Sequence, residues 1–155
     1  MTDVSDDKKV LCNQLQSIWY EQIPLSKAMQ MQIESFDGDL LATRAVLEPN
    51  VNVHGTAFAG SLYAIQALTG WGMMHLQLKL NHLDASIVIA SGQINYAKPV
   101  AEEIVVHCDF GEHAAAMDKL KASGKGRFPL TCRVLLADGQ VAGEFSGIYA
   151  VRLNR

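Results

Sequence analysis

The residues best suited to chemistry lie together in residues 49–61, which read PNVNVHGTAFAGS. This polar, glycine-containing stretch runs directly into a long apolar segment. If the apolar segment is a helix, its free backbone N–H groups and the positive end of its dipole meet the polar stretch. Such donors can stabilise a carbonyl oxygen that gains negative charge, as an oxyanion hole does. Asn50 and Asn52 add side-chain amides that could donate to the same oxygen.

The same residues also fit a purely structural role. Asparagine side chains commonly fold an Asx turn, and Thr56 has the hydroxyl group that a helix N-cap uses. Spacing alone favours this structural role. His54 could act as a general acid or base, although a histidine in a loop is more often simply exposed to solvent. The residue types therefore leave a catalytic loop and a plain helix cap both open.

Composition limits the function classes. The chain has 155 residues, so we expect a single domain over residues 1–155. With a net charge of −3 and no run of more than two Lys or Arg, it does not fit a nucleic-acid-binding protein. Three scattered cysteines are too few for a disulfide framework or a zinc site. We expect no metal and no cofactor. The acidic, polar start of the chain predicts no signal peptide, and hence a cytoplasmic location.

The pattern of apolar residues predicts the elements that position this segment. The chain begins with an amphipathic helix over residues 6–20, followed by two strands around a tight turn at residues 37–39. A loop over residues 49–55 leads into a long helix from about Ala57 to Leu78. Four strands follow at residues 86–96, 104–110, 130–137 and 141–151, with a short helical patch within residues 111–121.

The long helix determines the fold class. Residues 49–78 contain no Asp, Glu, Lys or Arg, and a charge-free run of this length could span a bilayer. However, Ser61, Gln66, Thr69 and His75 interrupt its apolar part, and the segment lies between predicted strands. A buried helix explains the pattern better than a membrane span. Gly70 and Gly72 then indicate a close strand contact or a kink, and His75 is expected near the negative end of the helix dipole. We predict an α+β hotdog fold, an antiparallel sheet wrapped around a long central apolar helix.

Residues 52–60 resemble the Asn-x-x-Gly-x-x-His-Gly-Gly pattern of hotdog thioesterases of the phenylacetyl-CoA type. Asn52, Gly55 and Gly60 match the asparagine and two of the glycines. Phe58 stands in the place of the histidine. In that family a carboxylate on the central helix acts as base or nucleophile, and Ala67 stands in its place here. The resemblance therefore supplies no hydrolytic carboxylate.

A second resemblance covers nearly the whole chain. It is similar to the putative-thioesterase family found at the C-terminal end of YiiD-type proteins. The features that carry it are Ile23-Pro24-Leu25-Ser26, Pro49-Asn50-x-Asn52-x-x-Gly55-Thr56-Ala57-Phe58-Ala59-Gly60-Ser61 and Asn95-Tyr96-x-Lys98-Pro99. Members resemble malonyl-acyl carrier protein decarboxylases that help to start fatty acid synthesis. The resemblance implies that the substrate is a thioester of acyl carrier protein or of CoA.

Two features concern partners. A short sheet around so apolar a helix leaves an open edge strand, and hotdog sites lie between subunits, so we expect a homodimer or a dimer of dimers. Residues 123–127, SGKGR, are expected to form a flexible basic loop. That loop could contact the phosphate of a pantetheine arm or be a plain exposed turn.

The chemistry favours one of three functions. Decarboxylation of a malonyl thioester needs a polarised carbonyl that becomes an enolate, whereas hydrolysis needs a positioned water or nucleophile and usually a base. Amide donors without a carboxylate suit decarboxylation of malonyl-acyl carrier protein to acetyl-acyl carrier protein. A thioesterase and a non-catalytic acyl-thioester-binding module are the alternatives. We assign catalysis to Asn52, Gly60 and His54, and substrate binding to Asn50, Gly55, Thr56, Phe58, Ser61 and Tyr63.

Overall fold

The computed structural model describes residues 4–154. The first three residues, which belong to the segment used to predict the lack of a signal peptide, lie outside this range, as does Arg155. The helices are α1 (Val4–Gln22), α2 (Pro24–Ala28), α3 (Ala59–Leu80) and α4 (Ala114–Ser123), with a 3-10 turn at Glu48–Asn50. The strands are β1 (Met31–Phe36), β2 (Leu40–Ala45), β3 (Ala85–Tyr96), β4 (Ile104–Asp109), β5 (Lys125–Leu135) and β6 (Val141–Leu153).

The six strands form one antiparallel sheet in the order β1-β2-β4-β5-β6-β3, and α3 packs against it. Helix α3 has no acidic residue and one lysine, and it buries side chains on several of its faces. A helix that is apolar around most of its circumference is stable in water only when other elements surround it. The predicted hotdog architecture is confirmed. None of the helices in the described part of the chain is long and apolar enough to cross a membrane.

Two glycines let α3 approach its neighbours closely. A Cβ atom on Gly70 would overlap the phenol of Tyr149 on β6, whose hydroxyl donates to the Ala67 carbonyl at 2.7 Å. A Cβ atom on Gly72 would lie 2.6 Å from the Trp19 ring of α1. The predicted close strand contact is therefore found at Gly70, and a helix contact is found at Gly72.

Replacement of Gly70 with alanine is expected to destabilise the protein. Alanine in an exposed helix would gain up to about 1 kcal/mol in helix propensity. Tyr149, however, is fully buried and bonded to α3, so its ring cannot move aside. Overpacking should exceed the propensity gain and lower the free energy of unfolding by about 1–3 kcal/mol. Urea unfolding measures the difference, and an unchanged or higher midpoint would show that Tyr149 can move.

The two edges of the sheet differ. At the β1 edge, the Gln16 side chain of α1 donates to the Met31 carbonyl at 3.0 Å and accepts from the Ile33 N–H at 2.7 Å. Gln16 thus takes the place of a neighbouring strand. The β3 edge runs for 12 residues. Within residues 4–154, the side chain that bonds to its backbone is Trp71, whose indole N–H donates to the Ile87 carbonyl at 3.3 Å. An uncovered edge of this length is able to pair with another strand.

Residues 123–127 differ from the predicted flexible loop. Strand β5 begins at Lys125, which lies opposite Arg152 of β6, and pairing continues from there along the strand. Gly124 ends α4 in a left-handed conformation, with φ of +81°. The turn is therefore confined to the helix end, because pairing with a distant part of the sequence outweighs the local glycine signal.

His75 also differs from its predicted role at the helix C-terminus. Its ring stacks on Trp71 with ring centroids 5.5 Å apart. Burial, and then the charge of Lys79, lowers the pKa of His75 to about 4. A neutral imidazole gains little from the negative end of a helix dipole. The carbonyls of the last turn are bonded instead by backbone N–H groups of residues 81–83.

The lowered pKa of His75 should make folding depend on pH. The unfolded pKa of about 6.5 lies above the folded value of about 4, so the unfolded chain takes up the proton first as the pH falls. The stability associated with the neutral ring is complete above about pH 6.5 and is lost towards about pH 4. Between about pH 6.5 and about pH 4, the midpoint of urea unfolding should decrease more for the wild type than for His75→Gln. Equal decreases would contradict this assignment.

Candidate active site

The loop before α3 is organised by Asn52. The Asn52 Oδ1 atom accepts from the N–H groups of His54 at 2.8 Å and Thr56 at 3.2 Å. The Asn52 Nδ2 atom donates to the Thr56 Oγ1 atom at 2.9 Å and makes a longer contact of 3.4 Å with the Ala57 carbonyl. Gly55 adopts φ of +78°, which closes the turn without strain. The predicted Asx turn is present, and one amide hydrogen of Asn52 is only weakly engaged.

Asn50 anchors the loop to the protein interior. Its side chain is 1% exposed, and its Nδ2 atom donates to the carbonyls of Met29 and Val46, each at 2.9 Å. Its backbone carbonyl accepts from the Phe58 N–H at 2.7 Å. Both amide hydrogens are therefore used inside the protein. This geometry differs from the predicted contact with substrate and makes Asn50 a structural support.

The N-terminus of α3 presents three backbone donors. Phe58, in an extended conformation, is the N-cap residue, and its carbonyl accepts from the Leu62 N–H at 3.0 Å. Within residues 4–154 the N–H groups of Ala59, Gly60 and Ser61 have no protein acceptor, as expected for the first turn of a helix. Thr56, predicted as a capping hydroxyl, bonds instead with Asn52. The donors of α3 are thus free to bind an oxygen atom from outside the chain.

Aromatic side chains surround these donors. The Phe58 ring covers Gly60, where a Cβ atom would overlap it, and this ring is 53% exposed. Tyr63 packs edge-on against Phe145 with centroids 5.1 Å apart and lies over Gly92 of β3. Leu62, on the neighbouring face of α3, is buried in the core. Phe58 and Tyr63 therefore form an apolar wall on the open side of the helix N-terminus.

Tyr96 is a site residue that the sequence did not reveal as one. Its hydroxyl donates to the Ala59 carbonyl at 2.9 Å, which joins the end of β3 to the first turn of α3. Partial burial, and then Tyr63, raises the pKa of Tyr96, so the phenol stays protonated. The segment Asn95-Tyr96-x-Lys98-Pro99 is one of the features that carry the resemblance to the YiiD-type family, and this was the sequence signal that could have marked Tyr96 as a site residue. The contact of Tyr96 with α3 could be recognised only from the three-dimensional structure.

The described residues offer little for nucleophilic catalysis. Residues 49–80 have no carboxylate, and His54 is exposed. Cys108 and Cys132 are fully buried, and their mutual contact together with burial raises the pKa of the Cys132 thiol. Burial also raises the pKa of Cys12. Within residues 4–154 there is also no group of three or more His, Cys, Asp or Glu that could hold a metal ion. The chemistry available at α3 is hydrogen-bond donation.

An antiparallel sheet around one long helix, with free donors and aromatic residues at the helix N-terminus, defines a hotdog protein of the thioesterase type. Residues 12–153 match the family model described as "Putative thioesterase (yiiD_Cterm)", and the chain belongs to that family. Membership supports hydrolysis of acyl thioesters or a related activity. The family resemblance predicted from the sequence is thereby confirmed.

Solved structures agree with this assignment. The chain is similar to a putative thioesterase from Shewanella oneidensis at 36% identity and a TM-score of 0.86, over 92% of this chain and 97% of that one. A protein of unknown function from Chlorobaculum tepidum TLS is 29% identical, with a TM-score of 0.89 over 95% and 97% of the two chains. The E. coli PaaI protein from the phenylacetic acid degradation operon shares 13% identity over 95% and 96%, and its TM-score of 0.69 shows the common fold.

Proposed function

We propose that the protein decarboxylates the malonyl thioester of acyl carrier protein to the acetyl thioester and so supports the start of fatty acid synthesis. The observation that carries this proposal is a set of unpaired donors at the N-terminus of α3 in a segment without a carboxylate. Hydrolysis needs an activated water or nucleophile, whereas loss of CO₂ first needs stabilisation of the enolate oxygen. The donors fit the second requirement. We assign the reaction to the cytoplasm.

The thioester oxygen would bind to the backbone N–H of Gly60 and to the weakly engaged amide hydrogen of Asn52. The bond between the carboxylate carbon and the methylene carbon breaks, CO₂ leaves, and the electron pair moves into the enolate held by these donors. A proton then returns to the carbon and gives the acetyl group. We assign this proton delivery to His54, which is exposed beside Asn52.

Gly55 and Thr56 hold the loop that presents these donors. Ser61 adds its backbone N–H, and the walls formed by Phe58 and Tyr63 contact the malonyl group and the thioester. An apolar wall disfavours the charged carboxylate of the substrate and leaves the neutral product unaffected. Binding energy from the rest of the substrate arm can hold the carboxylate in this environment.

We further propose that the working form is a homodimer, or a dimer of dimers, joined through β3. The β3 edge is open, and Val88, Ile89 and Tyr96 on this strand are 61%, 40% and 50% exposed. Phe58 and Val53, beside the donors, are 53% and 95% exposed. Pairing of two β3 strands would satisfy the edge and cover this apolar surface. The α3 donors would then lie at the interface.

The function is tested with malonyl and acetyl thioesters of both CoA and acyl carrier protein. Formation of CO₂ and an acetyl thioester without free thiol is expected. Free thiol from either thioester would show a thioesterase, the alternative that the family description favours. Binding without either product would show an acyl-thioester-binding module. Both of these results contradict the decarboxylase proposal.

A further inference from the structure

A pair of glycines leaves a hollow in the sheet beneath the first turns of α3. Gly92 of β3 lies directly opposite Gly147 of β6, and a Cβ atom on Gly92 would meet Tyr63 of α3. Residues two apart on a strand point to the same face of a sheet. On β6, Gly147 therefore shares a face with Phe145 and with Tyr149, whose hydroxyl donates to α3. Both glycines thus lack a side chain on the face that α3 covers, and this space is the glycine hollow.

Two aromatic rings fill the glycine hollow. The Phe145 ring lies across both glycines, since its edge atoms would be 2.8 Å from a Cβ atom on Gly92 and 2.7 Å from one on Gly147. The Tyr63 ring stands edge-on to Phe145, with centroids 5.1 Å apart. The Tyr63 hydroxyl oxygen would be 2.5 Å from the Cβ atom on Gly92. Tyr63 therefore reaches from α3 to β3 and closes the space between the helix and the strand.

Tyr63 is held less firmly than the aromatic residues around it. Phe145 and Tyr149 are fully buried, whereas Tyr63 is 37% exposed. The hydroxyls of Tyr96 and Tyr149 donate to carbonyls of α3 at 2.9 and 2.7 Å, whereas within residues 4–154 the Tyr63 hydroxyl makes no hydrogen bond. Phe145 and Tyr149 therefore belong to the core, and Tyr63 is the ring that can be removed without opening the core.

Tyr63 also lies next to the donors at the start of α3. It follows Gly60 by three residues, so the two share a face of the helix and lie about 4.5 Å apart along its axis. Helical side chains lean towards the helix N-terminus, which directs the Tyr63 ring over the preceding turn. An acyl group whose carbonyl is bound by the Gly60 N–H therefore meets Tyr63 after about three carbon–carbon bonds. This length suits an acetyl or a malonyl group.

We propose that Tyr63 determines the length of the acyl group, because its ring blocks the glycine hollow to chains longer than the malonyl and acetyl groups. The proposal rests on the proposed function for the position of the thioester carbonyl at the α3 donors. Without the Tyr63 ring, the freed space is lined by Phe145 and the two glycines. That surface is apolar, so it takes up the methylene groups of a longer chain. Tyr63 thus sets specificity and takes no part in bond breaking.

Binding of unreactive substrate analogues to the full-length protein tests the proposal independently of the reaction. The probes are thioethers of CoA and of the carrier protein in which a methylene separates the sulfur from an acetyl, butyryl, hexanoyl or octanoyl group. The wild type should bind the hexanoyl analogue no more tightly than the acetyl analogue. In Tyr63→Ala, each methylene that enters the hollow should raise the affinity about fourfold. The ratio of hexanoyl to acetyl affinity should therefore rise by about 10²-fold.

Three further variants separate the Tyr63 ring from other effects. Tyr63→Leu keeps an apolar contact with Phe145, should raise the same ratio by a smaller factor, and decides the test if Tyr63→Ala does not fold. Tyr63→Phe keeps the ring and should keep the wild-type ratio. Tyr20→Ala removes a half-buried tyrosine from α1 and is the matched control, which should also leave the ratio unchanged.

Unchanged ratios in both Tyr63→Ala and Tyr63→Leu would overturn the proposal. So would a wild type that prefers the hexanoyl analogue or binds none of the analogues, or an equal rise in Tyr20→Ala. Product analysis separates this proposal from the proposed function. Release of CO₂ from the malonyl thioester together with unchanged ratios contradicts only the role of Tyr63. A raised ratio in a protein that releases free thiol instead of CO₂ contradicts only the decarboxylase.

Discussion

Replacement of Asn52 with aspartate is expected to reduce the decarboxylation rate by about 10²–10³-fold, the usual loss for one oxyanion donor. Aspartate keeps the Oδ1 acceptor for the N–H groups of His54 and Thr56. The Thr56 hydroxyl can rotate and donate to the second carboxylate oxygen, so the loop stays closed. What aspartate cannot do is donate to the thioester oxygen. Steady-state kinetics on the malonyl thioester of the carrier protein measure the effect.

Two further variants separate donation from loop support. Asn52→Ala removes both functions and should lose at least as much activity as Asn52→Asp. Asn50→Ala leaves the Met29 and Val46 carbonyls without their donor and should lower the free energy of unfolding by about 1–3 kcal/mol, with a smaller effect on turnover. Near-normal turnover of Asn52→Asp, with loss confined to Asn52→Ala, would make Asn52 a loop residue. The donors of residues 59–61 would then carry the chemistry.

Elements with local causes were predictable from sequence. The turn at residues 37–39 forms because the Asp37 carboxylate accepts from the N–H groups of Asp39 and Leu40, and Gly38 adopts φ of +108°. The long helix was predictable because residues 49–78 carry no Asp, Glu, Lys or Arg, and so apolar a helix is stable only when other elements surround it. The start of β5 was not, since Lys125 becomes a strand residue only through its pairing with Arg152.

The candidate site was predictable as a segment but not atom by atom. Asn50 and Asn52 look equivalent in the sequence, and only the carbonyls of Met29 and Val46 make the first of them a buried support. The contact of Tyr96 with Ala59 joins residues 37 positions apart. Local chemistry sets turns and helix starts, whereas tertiary contacts decide which polar groups stay free.

Replacement of Ile89 with aspartate should separate the protomers and remove most of the activity. Ile89 lies near the middle of β3, so in a symmetric antiparallel pair the two new carboxylates would lie close together. Their repulsion, and the loss of apolar contact from a side chain that is 40% exposed in one chain, both disfavour pairing. Light scattering at micromolar protein should show a monomer. Turnover should fall by about 10²-fold, because water would then compete for the donors at α3.

Val141→Asp is the matched control for this experiment. Val141 is also a β-branched strand residue and is 39% exposed, but it is the first residue of β6, which lies inside the sheet rather than at its open edge. It should keep the dimer and the activity. A dimeric Ile89→Asp protein would place the interface elsewhere, and a monomer with full turnover would show that each chain holds a complete site. If wild-type specific activity also falls on dilution, in step with dissociation, the open β3 edge is the element that completes the site.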